Sequence, residues 1–309
     1  MAHAASPPNE FIAAAKKKIY LLFCSSVETD AMNILTLQPQ PALAKYIDFY
    51  YFIREERHDF RSAHYSFPHT CNVVSIYHKA NGKRSDKVVE VFEDPQREFM
   101  TLLQAKRPMP LRVEMRGKTD RISIFFKPLG LNAFVSSPLS VLMEGFELAE
   151  WDNKPLYQQS LKQVFNENTL EKRIEILENF LLGIIAPGEF SFLEKPLALL
   201  TDLENNYQIE DICTQSGFSL RSFNRKFKDA IGVSPVVYRQ IARFRNSLEN
   251  KLYHQQFKRL TDIGYSSHFY DQSYFNKIYR KMSGENPGAF FGQVRKLGND
   301  KLIFKLIQS

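Results

Sequence analysis

Apolar and polar positions change their spacing along this chain, from strand-like alternation near the start to helical periodicity near the end. Between about residues 33 and 121, short runs rich in β-branched and aromatic residues are separated by turn chemistry; the clearest are 46–53, 72–77, 87–92, 111–115 and 121–126. Runs of this kind predict strands. Asn81-Gly82 predicts a tight turn between two of them, and Gly117 marks another. Strands recurring this closely point to a barrel or sandwich rather than a βαβ sheet. Further on, Ser137-Pro138 predicts an N-cap and first residue for a short helix over about 138–143. Leu170, Ile174, Leu177 and Leu181 share one helical face, which predicts a helix over 169–185 closed by a hinge at Pro187-Gly188.

The last third contains an internal repeat. Asp211, Ile212, Ser216 and Phe218 recur as Asp262, Ile263, Ser267 and Phe269, and Phe223, Asn224, Gly232 and Pro235 recur one residue further on as Phe275, Asn276, Gly284 and Pro287. Each unit reads as helix, turn, helix. In the first, Ile209, Ile212 and Cys213 make a short inner face, Gly217 ends the helix and Ser219 caps the next. Phe223 and Phe227, four apart, anchor that second helix and leave Arg221, Ser222, Asn224, Arg225 and Lys228 on its outer side. In the second unit Asp271 is the cap, Phe275 and Tyr279 the anchors, and Gln272, Ser273, Asn276, Lys277 and Arg280 face outward. Between the units Ser234-Pro235 opens a long helix to about residue 252, with Val237, Ile241, Phe244, Leu248 and Leu252 as its apolar stripe. Eighteen residues at 1.5 Å each span roughly 27 Å, close to the separation of about 34 Å between successive major grooves on one duplex face.

Charge sharpens that reading. The net +7 is unevenly placed: residues 195–309 hold 18 Lys+Arg against 10 Asp+Glu, whereas residues 1–194 hold 23 against 24. A basic reader beside a neutral remainder suits a polyanion partner. Arg and Asn are side chains able to bond two base-edge atoms at once. The remaining composition, 44% hydrophobic and 24% charged, is that of a globular chain. The longest apolar run, residues 19–24, is six residues, far short of the roughly 20 that span a bilayer. Three scattered cysteines give no disulfide framework and no CxxC pair, which fits a reducing cytoplasm.

Residues 195–296 resemble the paired helix-turn-helix domain of AraC/XylS-family transcription regulators. The resemblance is carried by Gly217, Ser219, Phe223, Arg225, Phe227, Gly232, Ser234-Pro235, Tyr238 and Arg243, then by Ile263, Phe269, Asp271-Gln272-Ser273-Tyr274-Phe275, Tyr279, Gly284 and Pro287. It implies that Arg221, Asn224 and Arg225, and likewise Gln272, Ser273, Asn276 and Lys277, reach bases or adjacent phosphates. Three positions depart from the family pattern: His268 in place of Gly, Gly264 in place of Ala, and Lys277 in place of Arg. Lys277 lacks the planar two-pronged donor set. Residues 41–51 and 124–130 resemble, less specifically, a sensor domain found in a subset of the family. That resemblance implies effector binding or dimerisation.

The expected architecture is α+β in two domains: a β-rich, barrel- or sandwich-like (cupin-like) N-terminal domain and an all-α domain with two helix-turn-helix motifs joined by a long helix. The expected division is a loose extension over 1–31, an effector-binding or dimerisation domain over 32–165, a helical linker over 166–194, the reader over 195–296 and a tail over 297–309. Double-stranded DNA is the partner this implies, with a small-molecule effector or a homodimer through the first domain, RNA polymerase for an activator, and no membrane. No cofactor or metal is assigned. The sequence has no nucleophile–base arrangement, phosphate loop or helical HExxH, so no enzyme is expected. Three alternatives remain open: a metal-binding cupin-like enzyme using His64, His69 or Cys71 (with His58 and His78 in the same region), an exported lipoprotein through Cys24, and a first domain that only dimerises. Lys127 is read as a strand-end surface residue, with anion binding as its alternative.

Overall fold

The computed structural model describes residues 18–21, 33–104, 106–186, 188, 190–252, 269, 271–293, 295–297 and 302–307. Twelve strands are found among them: β1 (Lys18–Leu21), β2 (Asn33–Leu37), β3 (Ile47–Glu55), β4 (Arg61–Ser66), β5 (Asn72–His78), β6 (Ala80–Arg84), β7 (Val88–Glu93), β8 (Phe99–Gln104), β9 (Leu111–Arg116), β10 (Thr119–Phe126), β11 (Arg295–Leu297) and β12 (Leu302–Leu306). They form two six-stranded sheets, ordered β1-β2-β3-β10-β5-β8 and β11-β12-β4-β9-β7-β6. Neither closes on itself, so of the two expected forms the sandwich is the one adopted. β10 is the spine of the first sheet: Ile122 lies opposite Phe52 of β3 on one side and Ile76 of β5 on the other.

The two faces of β10 go to two different cores. Ile122, Ile124 and Phe126 join Tyr50, Phe52, Val74 and Ile76 against helices, whereas Phe125 turns with Phe49, Tyr51 and Tyr77 toward the second sheet. A strand covered on both faces loses its alternation and reads as a continuous apolar run. The helical cover consists of α1 (Leu139–Leu142), α2 (Ala149–Asp152), α3 (Pro155–Asn166) and α4 (Leu170–Ile184). α4 buries Ile174, Leu177 and Leu181 in this core, and its buried Arg173 forks onto Asp120 of β10 at 2.8 and 3.0 Å. The segment read as a connection is therefore packed as a layer of the first domain. The two stretches that resemble a sensor meet: Lys127 N–H donates to the Tyr46 carbonyl at 2.8 Å, and a Cβ on Gly130 would fall 2.1 Å from that same oxygen.

Two local expectations are corrected. Asn81-Gly82 is no turn; both lie inside β6, where Gly82 leaves room for the Met100 sulfur and the Phe146 ring. The cap of α1 is Pro138, without a side-chain bond, and Ser137 lies one residue before it, its N–H donating to the Glu150 carboxylate at 3.2 Å. Gly117 does turn, at φ +78°. The hinge residue Pro187, the extension before Lys18, Cys24, Gly264 and His268 lie outside the described residues.

The remaining helices are α5 (Glu194–Thr201), α6 (Ile209–Gln215), α7 (Leu220–Ile231), α8 (Pro235–Leu252), α9 (Gln272–Ser283) and α10 (Pro287–Gln293). They enclose two apolar clusters, one per repeat. Ile212, Cys213, Phe223, Phe227, Ile231 and Tyr238 make the first, and Ile241, Phe244, Leu248, Phe275, Tyr279 and Phe290 the second. α8 supplies residues to both: the expected stripe Val237, Ile241, Phe244 and Leu248 lies with the second, whereas Tyr238, outside that stripe, lies in the first; the side chain of Leu252 is outside the description. The chain then returns to the first domain, where β12 pairs antiparallel with β4, Phe304 opposite Ser66. Nothing in the sequence reading assigns strands there.

Candidate nucleic-acid interface

α7 begins where the sequence predicts. The Ser219 hydroxyl accepts from the Ser222 N–H at 3.3 Å, and the preceding turn carries Gly217 at φ +71°. Phe223 and Phe227 are completely buried, so helical geometry turns the opposite face of α7 outward: Arg221, Arg225 and Lys228 are exposed, and Ser222 and Asn224 half-buried. Asn224 Nδ2 donates to the Leu220 carbonyl at 2.8 Å, which holds the amide against its own helix. Lys226 is spent differently, its ammonium lying 4.8 Å from the centre of the Phe192 ring. Gly232 ends α7 at φ +92°, and a side chain there would strike Met143 of the first domain.

α9 repeats the design. Asp271 caps it through a 2.7 Å bond from the Tyr274 N–H, and Gly284 ends it at φ +82°. Phe275 and Tyr279 are buried, the Tyr279 hydroxyl lying 2.6 Å from Ser247 Oγ of α8. Gln272, Ser273, Lys277 and Arg280 are exposed, and Asn276 is half-buried. Each set of expected contact residues therefore shares one outer helical face. Sequence reasoning passed over Arg239 on α8, one turn before Arg243. Burial, and then the Arg243 cation, pull its guanidinium below the usual range, opposed by the nearby Glu210 of α6 and Tyr274 of α9. The i, i+4 arginine spacing was the available signal.

Chemically, the arrangement offers two helices with polar, cation-rich outer faces and no acidic residue among those ten positions. Comparison with known proteins bears on it directly. The profile described as "Helix-turn-helix domain" matches residues 212–293. Residues 212–293 form a helix-turn-helix domain of the AraC type. A domain of this kind is a DNA-binding module of transcription regulators. A second profile, "Domain of unknown function (DUF6597)", matches residues 35–145. No curated protein sequence matches the chain. Solved structures of ToxT from Vibrio cholerae overlap loosely: a 1.65 Å form has 13% identity and a TM-score of 0.43, over 79% of this chain and 97% of that one. An unsaturated-fatty-acid-bound ToxT has 11% identity and a TM-score of 0.36, over 86% and 96%.

The AraC-type reader is moored to the first domain at several points. Ser140 of α1 donates to Asp229 of α7 at 2.8 Å, and buried Lys106 donates to the Ile231 carbonyl at the end of α7 at 3.2 Å and to Asn72 Oδ1. Desolvation draws the Lys106 ammonium down to about 7. On the second unit, Phe67 meets Phe290 edge-on with ring centres 4.9 Å apart. The histidines and cysteine weighed for a metal are spread out. His58 pairs with Glu93, His69 Nδ1 accepts from the Cys71 N–H, His78 stacks on Phe99 and Phe165, and His64 is buried with its pKa drawn down to about 3 by desolvation. No group of three such ligands gathers among the described residues. Lys127 is occupied by the Ala44 carbonyl at 2.6 Å. No helix among the described residues is long and apolar enough to cross a membrane.

Proposed function

We propose that the protein reads two adjacent major grooves of one DNA duplex, α7 in one and α9 in the next, and that its first domain sets how the two are presented. The observation that carries this reading is the pair of identically capped helices with exposed cationic faces, linked by α8. Lys and Arg bring the reader to the phosphates and fix its register; base edges are then read by Asn224, Arg225, Gln272 and Asn276. Lys228 and Arg280 are phosphate contacts, Arg221, Ser222, Ser273 and Lys277 flanking ones. In this scheme residues 32–165, with α4 packed on them, sense, the rest of 166–194 connects and 195–296 read. The bonds from Ser140 and Lys106 to the end of α7 make a ligand or a second copy at the first domain perceptible to the reader.

Selection of bound duplexes from a random pool tests the reading. The expected product is a motif with two blocks whose centres lie about one helical turn apart. A single short block, or no enrichment, contradicts it.

A further inference from the structure

A cavity of about 80 Å³ lies between the two sheets, and its lining includes Arg84, Arg107 and Arg121 but no Asp or Glu. Arg121 projects from β10 and is 4% exposed. Its Nη1 and Nη2 donate to the hydroxyls of Tyr77 at 3.0 Å and Tyr51 at 2.5 Å, and its guanidinium lies over both rings, 4.9 Å from the Tyr51 centre and 5.5 Å from that of Tyr77. Its Nε is buried and has no hydrogen-bond partner. A guanidinium stays charged at every relevant pH, so burying one with no carboxylate facing it is costly unless an anion arrives from outside. Each phenol oxygen accepts from Arg121; the Tyr51 hydroxyl is also bonded to Ser123, while that of Tyr77 retains its O–H to donate. Near the mouth, Arg84 is pulled below its usual range by burial and by the Arg107 cation, two like charges bordering one space.

The rest of the wall combines apolar side chains, Val89, Leu102, Val113, Phe125 and Phe146 among them, with the polar His64, Ser66, Ser75 and Gln104. A water molecule takes about 30 Å³ of liquid, so the space suits a ligand of a few non-hydrogen atoms. A buried cation beside the apolar part of this wall favours a monoanion with a hydrocarbon end over a fully hydrated inorganic dianion.

We infer that this cavity binds a small organic carboxylate, its anionic end on Arg121 and the hydroxyl of Tyr77, its hydrocarbon end against Val89 and Val113. The consequence for DNA, though not the binding itself, rests on the sensor reading above. Gln104 and Arg107 of the wall flank Lys106, which holds the Ile231 carbonyl of α7, so the site adjoins the mooring of the first reader.

The test is calorimetric titration and thermal unfolding of the full chain with sodium propionate and butyrate at constant ionic strength, with butyramide and inorganic phosphate as controls. The site predicts saturable butyrate binding and a raised Tm, with no effect of either control. It also predicts at least a tenfold weaker affinity in Arg121→Lys, which keeps the charge but loses the fork. Val113→Phe, which fills the cavity without touching the guanidinium, abolishes binding and decides the matter if Arg121→Lys does not fold. Absence of carboxylate binding to the wild type overturns the site. So does equal binding of butyramide or phosphate, or full butyrate affinity in Val113→Phe. Butyrate that binds as described yet leaves DNA affinity unchanged upholds the site and removes the sensor reading.

Discussion

The two recognition helices share a mould but not a mooring. α7 and α9 are each twelve residues long, begin under a side-chain cap and stop at a left-handed glycine. Both seat aromatic anchors four residues apart in a dry core. Toward the first domain they diverge. The end of α7 is held by polar groups, Ser140 on Asp229 and Lys106 on Ile231, whereas the second unit is held by ring packing of Phe67 on Phe290. The Ser140 bond is half-buried and the Lys106 bond buried, hydrogen bonds that net about 1 kcal/mol each, whereas the ring contact rests on apolar burial. The duplication thus yields two similar readers with chemically different moorings, one polar and one aromatic.

The largest expected effect tests the shared mould. Phe223→Ala and Phe275→Ala each empty a completely buried site and are expected to cost about 3–5 kcal/mol, read as matched falls in denaturant midpoint. A loss confined to one of them breaks the equivalence. Next comes pH, which separates the moorings. The Lys106 pKa is depressed when folded, to about 7 from 10.5, so between those values the unfolded chain holds the extra proton and stability rises with pH. Denaturant titrations at pH 7 and 9.5 are expected to show a gain of roughly a few kcal/mol at most from this group, and Lys106→Met is expected to flatten it. A slope unchanged in that variant contradicts the burial of a charge there.

Base reading distinguishes the outer faces. Asn224→Ala with Arg225→Ala is expected to remove about 1–3 kcal/mol of discrimination per bidentate contact while leaving the melting curve intact. Lys277→Ala is expected to cost less, because an ammonium cannot grip a base edge with two parallel bonds. Competition between a selected site and random duplex measures both, and equal losses would erase the difference between the units. The smallest effect lies at the caps: Ser219→Ala and Asp271→Ala should each cost about 1 kcal/mol, the Asp cap slightly more because it is charged beside a helix N-terminus.

Both caps, both anchors and the long bridging helix were legible in the sequence, since these depend on contacts within a few residues of one another. The strands 47–55, 72–78, 88–93, 111–116 and 119–126 were legible to within one or two residues at most ends because they are aromatic or β-branched and strongly apolar. β4, β6 and β8 were not singled out: β4 and β6 carry Arg, His, Asn and Lys at positions that face solvent or the cavity. Asn81-Gly82 has a turn's composition, yet what Gly82 supplies is space for Met100, a demand made by strands remote in sequence. The same holds for Arg121, which reads as a polar strand end and is the buried cation at the centre of the inter-sheet cavity. Contacts made by tertiary packing, the return of 302–306 to β4 above all, leave no local trace.

The most direct test is hydroxyl-radical footprinting on a selected duplex with the wild type and with Asn224→Ala/Arg225→Ala. Two protected patches are expected on one duplex face, about 10 base pairs apart, and the double variant should lose the patch belonging to α7 while keeping the other. A single continuous patch, or two that fade together, would contradict reading by two separately mounted helices.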